Sequence, residues 1–150
     1  MGRTIAMATL VAGALDILYA AMMSMIFGRG PASMLRSVAS GPFPGASEWG
    51  ALGSGLGLVV HFALMAIMAA CFVYAARNWP VLISKPIHAG VAYGLITYVV
   101  MNLVVVPVRF DVPLPTQPRA ILSQLFAHIA LVGIPIALIA AKDLRGRLMA

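Results

Sequence analysis

A chain of 150 residues has room for one domain, and this one is 62% hydrophobic and only 9% charged, with a mean hydropathy of +1.00. A soluble domain carries about 25% charged residues, so a chain this poor in charge cannot keep its surface wet and must turn most of it towards lipid. The net charge of +6 would suggest nucleic acid in a soluble protein. Here the basic residues stand in tails and loops, with no basic stripe interleaved with aromatics. Their expected partners are lipid headgroups, not nucleic acid.

A helix crossing the hydrocarbon layer of about 30 Å needs about 20 apolar residues. The first such run, residues 5–27, follows Arg3 and is interrupted by Asp16. It is too long for the core of a signal peptide, typically about 7–15 residues, and reads as a retained span. The loop that follows opens with Gly28-Arg29-Gly30-Pro31. Within it Met34, Leu35 and Val38 oppose Arg36, Ser37 and Ser40, which predicts a short amphipathic helix on the membrane surface, ended by Gly41-Pro42.

The second span, residues 52–76, begins with Gly53-Ser54-Gly55-Leu56-Gly57, a close-packing surface in this context and no phosphate loop. It contains Cys71, the only cysteine, which has no partner for an intrachain disulfide and is expected as a small buried hydrophobe. Arg77-Asn78-Trp79-Pro80 ends it. The third span, residues 87–108, starts beside Lys85 and His88 at the interface, and the fourth, residues 120–141, stops at Lys142-Asp143. With no water in the layer, each span must satisfy its own backbone, so all four are helices. The expected fold is an all-α, polytopic bundle of four transmembrane helices, one domain over residues 1–150, with a short interfacial helix in the first loop.

With the N-terminus inside, the inner side holds Arg3, Arg77, Lys85, Lys142, Arg145 and Arg147, and the outer side Arg29, Arg36, Arg109 and Arg119. That excess predicts cytoplasmic termini, with Trp49 and Trp79 anchoring opposite interfaces. Small residues recur four apart at Gly53/Gly57, Ala66/Ala70, Gly90/Gly94 and Thr9/Gly13, letting helix backbones approach closely in lipid. They suit a compact bundle, a homo-oligomer or a subunit of a larger membrane complex.

Several stretches carry a resemblance: Leu15-Asp16-Ile17-Leu18-Tyr19-Ala20, Leu35-Arg36-Ser37-Val38-Ala39-Ser40-Gly41, Gly57-Leu58-Val59-Val60-His61-Phe62, Tyr93-Gly94 leading to Met101-Asn102 and Pro107, and His128 leading to Gly133-Ile134-Pro135-Ile136. Over most of its length the chain resembles a family of small, functionally uncharacterised bacterial inner-membrane proteins with four predicted spans. Arg36 stands where that pattern usually has glutamine. The resemblance implies a bacterial inner membrane and a four-span fold, and no activity.

Ionisable residues within a membrane are costly and mark candidate sites. From the inner boundary, Asp16 lies about 18 Å up, His128 about 20 Å, His61 about 17–22 Å and Asn102 about 24 Å, at 1.5 Å per residue. One polar residue from each span at similar depth predicts a cluster, which Tyr19, Tyr98 and Thr97 could join. Two uses are open. Hydrogen bonds worth about 0.6–2 kcal/mol each could simply fix helix register. Alternatively the cluster could be a polar pocket handling protons or a small solute, since histidine titrates near neutrality. Pro135 removes a helix bond to Leu131 and, beside Gly133, could line a cavity or merely kink the helix. His61 and His128 could ligate a haem, or join Asp16 around a metal, but no cofactor motif supports it. Ser24, Ser54 and Ser123 lack a nucleophile motif, so no enzyme is expected. The rival to solute handling is an accessory subunit docked through glycine-rich faces.

Overall fold

The computed structural model describes residues 1–148, and within them every regular element is helical. Four helices are long and apolar enough to cross a membrane: α1 (Gly2–Ile26), α3 (Gly50–Asn78), α5 (Pro86–Phe110) and α6 (Pro118–Gly146). Two short α-helices fill the connections, α2 (Pro31–Ala39) between α1 and α3, and α4 (Val81–Ser84) between α3 and α5, and a 3-10 turn at Ala46–Glu48 follows α2. The chain is a multi-pass, four-helix membrane bundle. Three of the spanning helices run beyond their apolar run at both ends, while α1 starts earlier than its run and stops one residue before Phe27.

The sixth helix is the hub, packing against α1, α3 and α5. It can do so because its inward face is built from Ala127, Val132, Gly133, Ile136, Ala137, Ala140 and Ala141. Between helices in lipid there is no hydrophobic driving force, so small side chains that admit close van der Waals contact hold the bundle together. On α3 the buried stripe Gly53, Gly57, His61, Met65 and Ala69 repeats every fourth residue, the spacing of one helix face.

Two glycine contacts set the geometry. A Cβ on Gly94 would lie 2.5 Å from the His128 carbonyl oxygen and 2.5 Å from Ile129 Cα, and one on Gly90 would lie 2.6 Å from Ile134 Cα. Backbone therefore meets backbone where α5 crosses α6. Gly57 has a different partner from the one expected of a small-residue pair. It receives the backbone of Leu35, and Gly53 receives that of Ala46, so this pair on α3 seats the first loop and not another span. The helix in the first loop is wedged against α1 and α3 by its backbone as well as its apolar side chains.

Arginines tie the short helices down. Arg109, at the end of α5, donates to the Ser40 carbonyl at 3.0 Å and to that of Gly41. Arg145 on α6 donates to the Ser84 carbonyl at 3.1 Å and to that of Ile83. In both cases a guanidinium satisfies carbonyls left open at a helix C-terminus.

Two stretches of the spans are π-helical, Val99–Val105 in α5 and Ala127–Gly133 in α6. Each ends just before a proline, Pro107 and Pro135. A proline offers no N–H and its ring collides with the carbonyl four residues earlier, here Leu103 and Leu131, so the turn widens. The residue preceding each proline bonds five residues back, Val106 to Met101 and Ile134 to Ile129. Pro135 thus acts by widening the helix that carries His128.

Candidate functional site

Asp16, His61, Asn102 and His128 lie within about 12–17 Å of the end of the bundle where the α1–α3 and α5–α6 loops stand, at 1.5 Å per residue. The structure joins them as two pairs, with no hydrogen bond or ion pair between the pairs.

The first pair bridges α1 and α3. The α3 stripe turns His61 into the bundle, where it is 6% exposed. Its Nε2 lies 2.9 Å from the Gly13 carbonyl oxygen. A carbonyl can only accept, so Nε2 carries a hydrogen and donates it. Gly13 makes room for this approach, because Phe62, stacked edge-on to the His61 ring at 5.3 Å, occupies the space a side chain on residue 13 would need. The other ring nitrogen, Nδ1, faces Asp16 Oδ2 at 3.9 Å, and the Asp16 side chain retains 20% exposure. The arrangement has one undecided hydrogen. It can sit on Nδ1, giving imidazolium beside carboxylate, or on Asp16, giving a carboxylic acid beside neutral imidazole.

The second pair bridges α5 and α6 through the two π-helical stretches. Asn102 Nδ2 lies 3.1 Å from His128 Nε2, and His128 Nδ1 lies 3.2 Å from Thr97 Oγ1. Thr97 donates its only hydroxyl hydrogen to the Gly94 carbonyl at 3.0 Å. Its oxygen must therefore accept from His128 Nδ1–H, which leaves Nε2 as the acceptor for the Asn102 amide. Both ring nitrogens of His128 are thereby assigned, Nδ1 as donor and Nε2 as acceptor. Tyr98 closes over it, its ring 6.0 Å from that of His128 and steeply inclined.

Tyr19 joins neither pair. One turn from Asp16 towards the loops, its hydroxyl meets Ser123 Oγ at 2.9 Å, and its ring packs on Phe126 at 5.3 Å. Ser123 is a polar partner that periodicity did not single out. Towards the chain termini, the buried face of α1 continues with Thr9, whose buried hydroxyl has no hydrogen-bond partner among the described residues, and with Thr4, which donates to the Asp143 carboxylate. That last bond was hidden in the sequence because Asp143 reads as an ordinary charge flanking a span.

Cys71 departs from expectation: it is exposed, because it sits on the edge of α3 that borders a groove rather than on the packed stripe. His88 is exposed at the start of α5. Ligation of haem or a metal through His128 would have to displace Asn102 or Thr97 from its ring, whereas His61 would offer Nδ1 with Nε2 still held by the Gly13 carbonyl. Among the described residues no three His, Cys, Asp or Glu side chains gather as a ready metal cage.

No family model, curated protein or solved structure matches this chain.

Proposed function

We propose that this bundle handles protons within the membrane, with Asp16 and His61 as the exchanging pair. One observation carries the reading: His61 Nε2 is committed to the Gly13 carbonyl, leaving Nδ1 facing the Asp16 carboxyl at 3.9 Å. A proton passes from the Asp16 carboxyl to Nδ1, giving carboxylate and imidazolium, and returns by the reverse step; no bond other than O–H and N–H changes. At 3.9 Å the transfer needs one bridging water or a small side-chain rotation. The residual exposure of Asp16 supports access to the pair. On the termini side, the Thr9 hydroxyl supports a place where water is held, since buried hydroxyls seek partners.

We assign the bundle to the bacterial inner membrane with both termini cytoplasmic, on the family resemblance and the excess of basic residues on that side. The pair is expensive to keep in a membrane if its only use is packing; a proton site gives it a reason. The test is a pH jump across proteoliposomes containing a trapped pH-sensitive dye. The unmodified protein should equilibrate the lumen, and Asp16→Asn should abolish that flux with the bundle still assembled. Absence of flux from the unmodified protein, coupled with its isolation in a larger complex, would instead favour the accessory-subunit reading.

A further inference from the structure

A groove of about 330 Å³ runs between α3 and α5 on the termini half of the bundle, lined by residues that include Cys71, Phe72, Ala75, Trp79, Tyr93 and Ile96. It is apolar because Tyr93 has turned its hydroxyl into the protein, donating to the Met68 carbonyl at 2.7 Å, and presents only its ring, which packs on Phe72 at 5.1 Å. The groove follows the helix axes. From Trp79 to Cys71 it covers eight residues of α3, roughly 12 Å. A single leaflet is about 15 Å of hydrocarbon deep. Length, direction and lining all match one extended hydrocarbon chain.

The mouth adds a charge. Between Cys71 and Ile96 the charged side chains are Arg77 and Lys85, with no acidic residue. Arg77 reaches back to the Met1 sulfur at 3.5 Å. Lys85 is exposed and stands one turn before Ala89, a residue of the groove wall. Trp79, also exposed, flanks the same mouth, as aromatic rings do at headgroup level. We propose that the groove is a phospholipid site: one acyl chain of an anionic phospholipid from the termini-side leaflet lies in it, with the Lys85 ammonium on the headgroup phosphate.

The protein supplies its own probe. With Trp49→Phe as background, Trp79 is the remaining tryptophan, and it lines the groove. The protein is reconstituted in phosphatidylcholine vesicles containing a small fraction of either phosphatidylglycerol or phosphatidylcholine with brominated chains. Brominated phosphatidylglycerol should quench Trp79 at about a fivefold lower mole fraction than brominated phosphatidylcholine, the preference expected of one basic side chain near the surface. Lys85→Gln, at an exposed position, should bring the two lipids to parity, and Ala92→Phe, filling the groove, should reduce quenching by both. Equal quenching of Trp79 by the two lipids before any groove substitution overturns the proposal. So does efficient Cys71–Cys71 cross-linking between copies in the bilayer, which would put a second chain where the lipid should be.

Discussion

The two histidine pairs use similar residues at similar depth and come out differently. Around His128 both ring nitrogens have a fixed role, in a chain running from Asn102 through the ring to Thr97 and ending on the Gly94 carbonyl. Around His61 one nitrogen is fixed by Gly13 and the other looks across 3.9 Å to a carboxyl that is still partly exposed. A saturated network holds two helices in register and has nothing left to exchange. An unsaturated one holds them less firmly, and it is the pair to which the proposed proton exchange is assigned. Polar residue type and depth, which the pairs share, therefore do not separate a clasp from a site; the count of hydrogens does.

Substitutions can break that contrast. The largest effect is expected for Asp16→Asn, which keeps the shape and removes the acid: proton flux into vesicles should fall about a hundredfold or more, the low end of what a positioned acid or base contributes to proton transfer. Retained flux would return the pair to a purely structural role. Next is Gly94→Val. Its side chain would meet the His128 carbonyl and Ile129 Cα, neither of which can swing aside, so an overpacking cost of about 3 kcal/mol should appear in reversible unfolding in mixed micelles. If the variant is as stable as the parent, α5 and α6 do not cross where described.

Asn102→Leu should cost only about 1 kcal/mol, the scale of an interhelical hydrogen bond in a membrane, and should leave proton flux at the parental rate. A loss of flux comparable to that of Asp16→Asn would merge the two pairs into one functional network. The smallest effect belongs to Thr97→Val, which deletes the acceptor for His128 Nδ1–H at a cost of about 0.6 kcal/mol; its signature would be a shifted His128 ring resonance in the NMR spectrum rather than a change in transport.

Much of the fold was legible because lipid imposes one requirement. Four runs of about 20 apolar residues have no other home, and the helices found at Gly2–Ile26, Gly50–Asn78, Pro86–Phe110 and Pro118–Gly146 follow from it. The residues of the two pairs were also visible as polar exceptions. Their pairing was not. Pro107 and Pro135 each widen the helix before them, and a widened turn carries an extra residue, so faces projected at 3.6 residues per turn drift by about 100° beyond it. The close contact at Gly57 was legible as a small-residue surface, but its occupant, the Leu35 backbone, lies in a loop whose composition says only that it is amphipathic. Likewise Arg109 and Arg145 count in the sequence as topology signals, while in the bundle each also closes the end of a short helix.

From the amino acids alone come the helical state, the number of crossings and the depth of each buried polar group, since these depend on local hydropathy and on a fixed rise per residue. Which histidine meets the carboxyl, which meets the amide, and where α3 and α5 leave an apolar groove were decided only when the helices packed. Those outcomes depend on rotation and crossing of whole helices, and in lipid these are set by the fit of small side chains and widened turns at contacts distant in sequence.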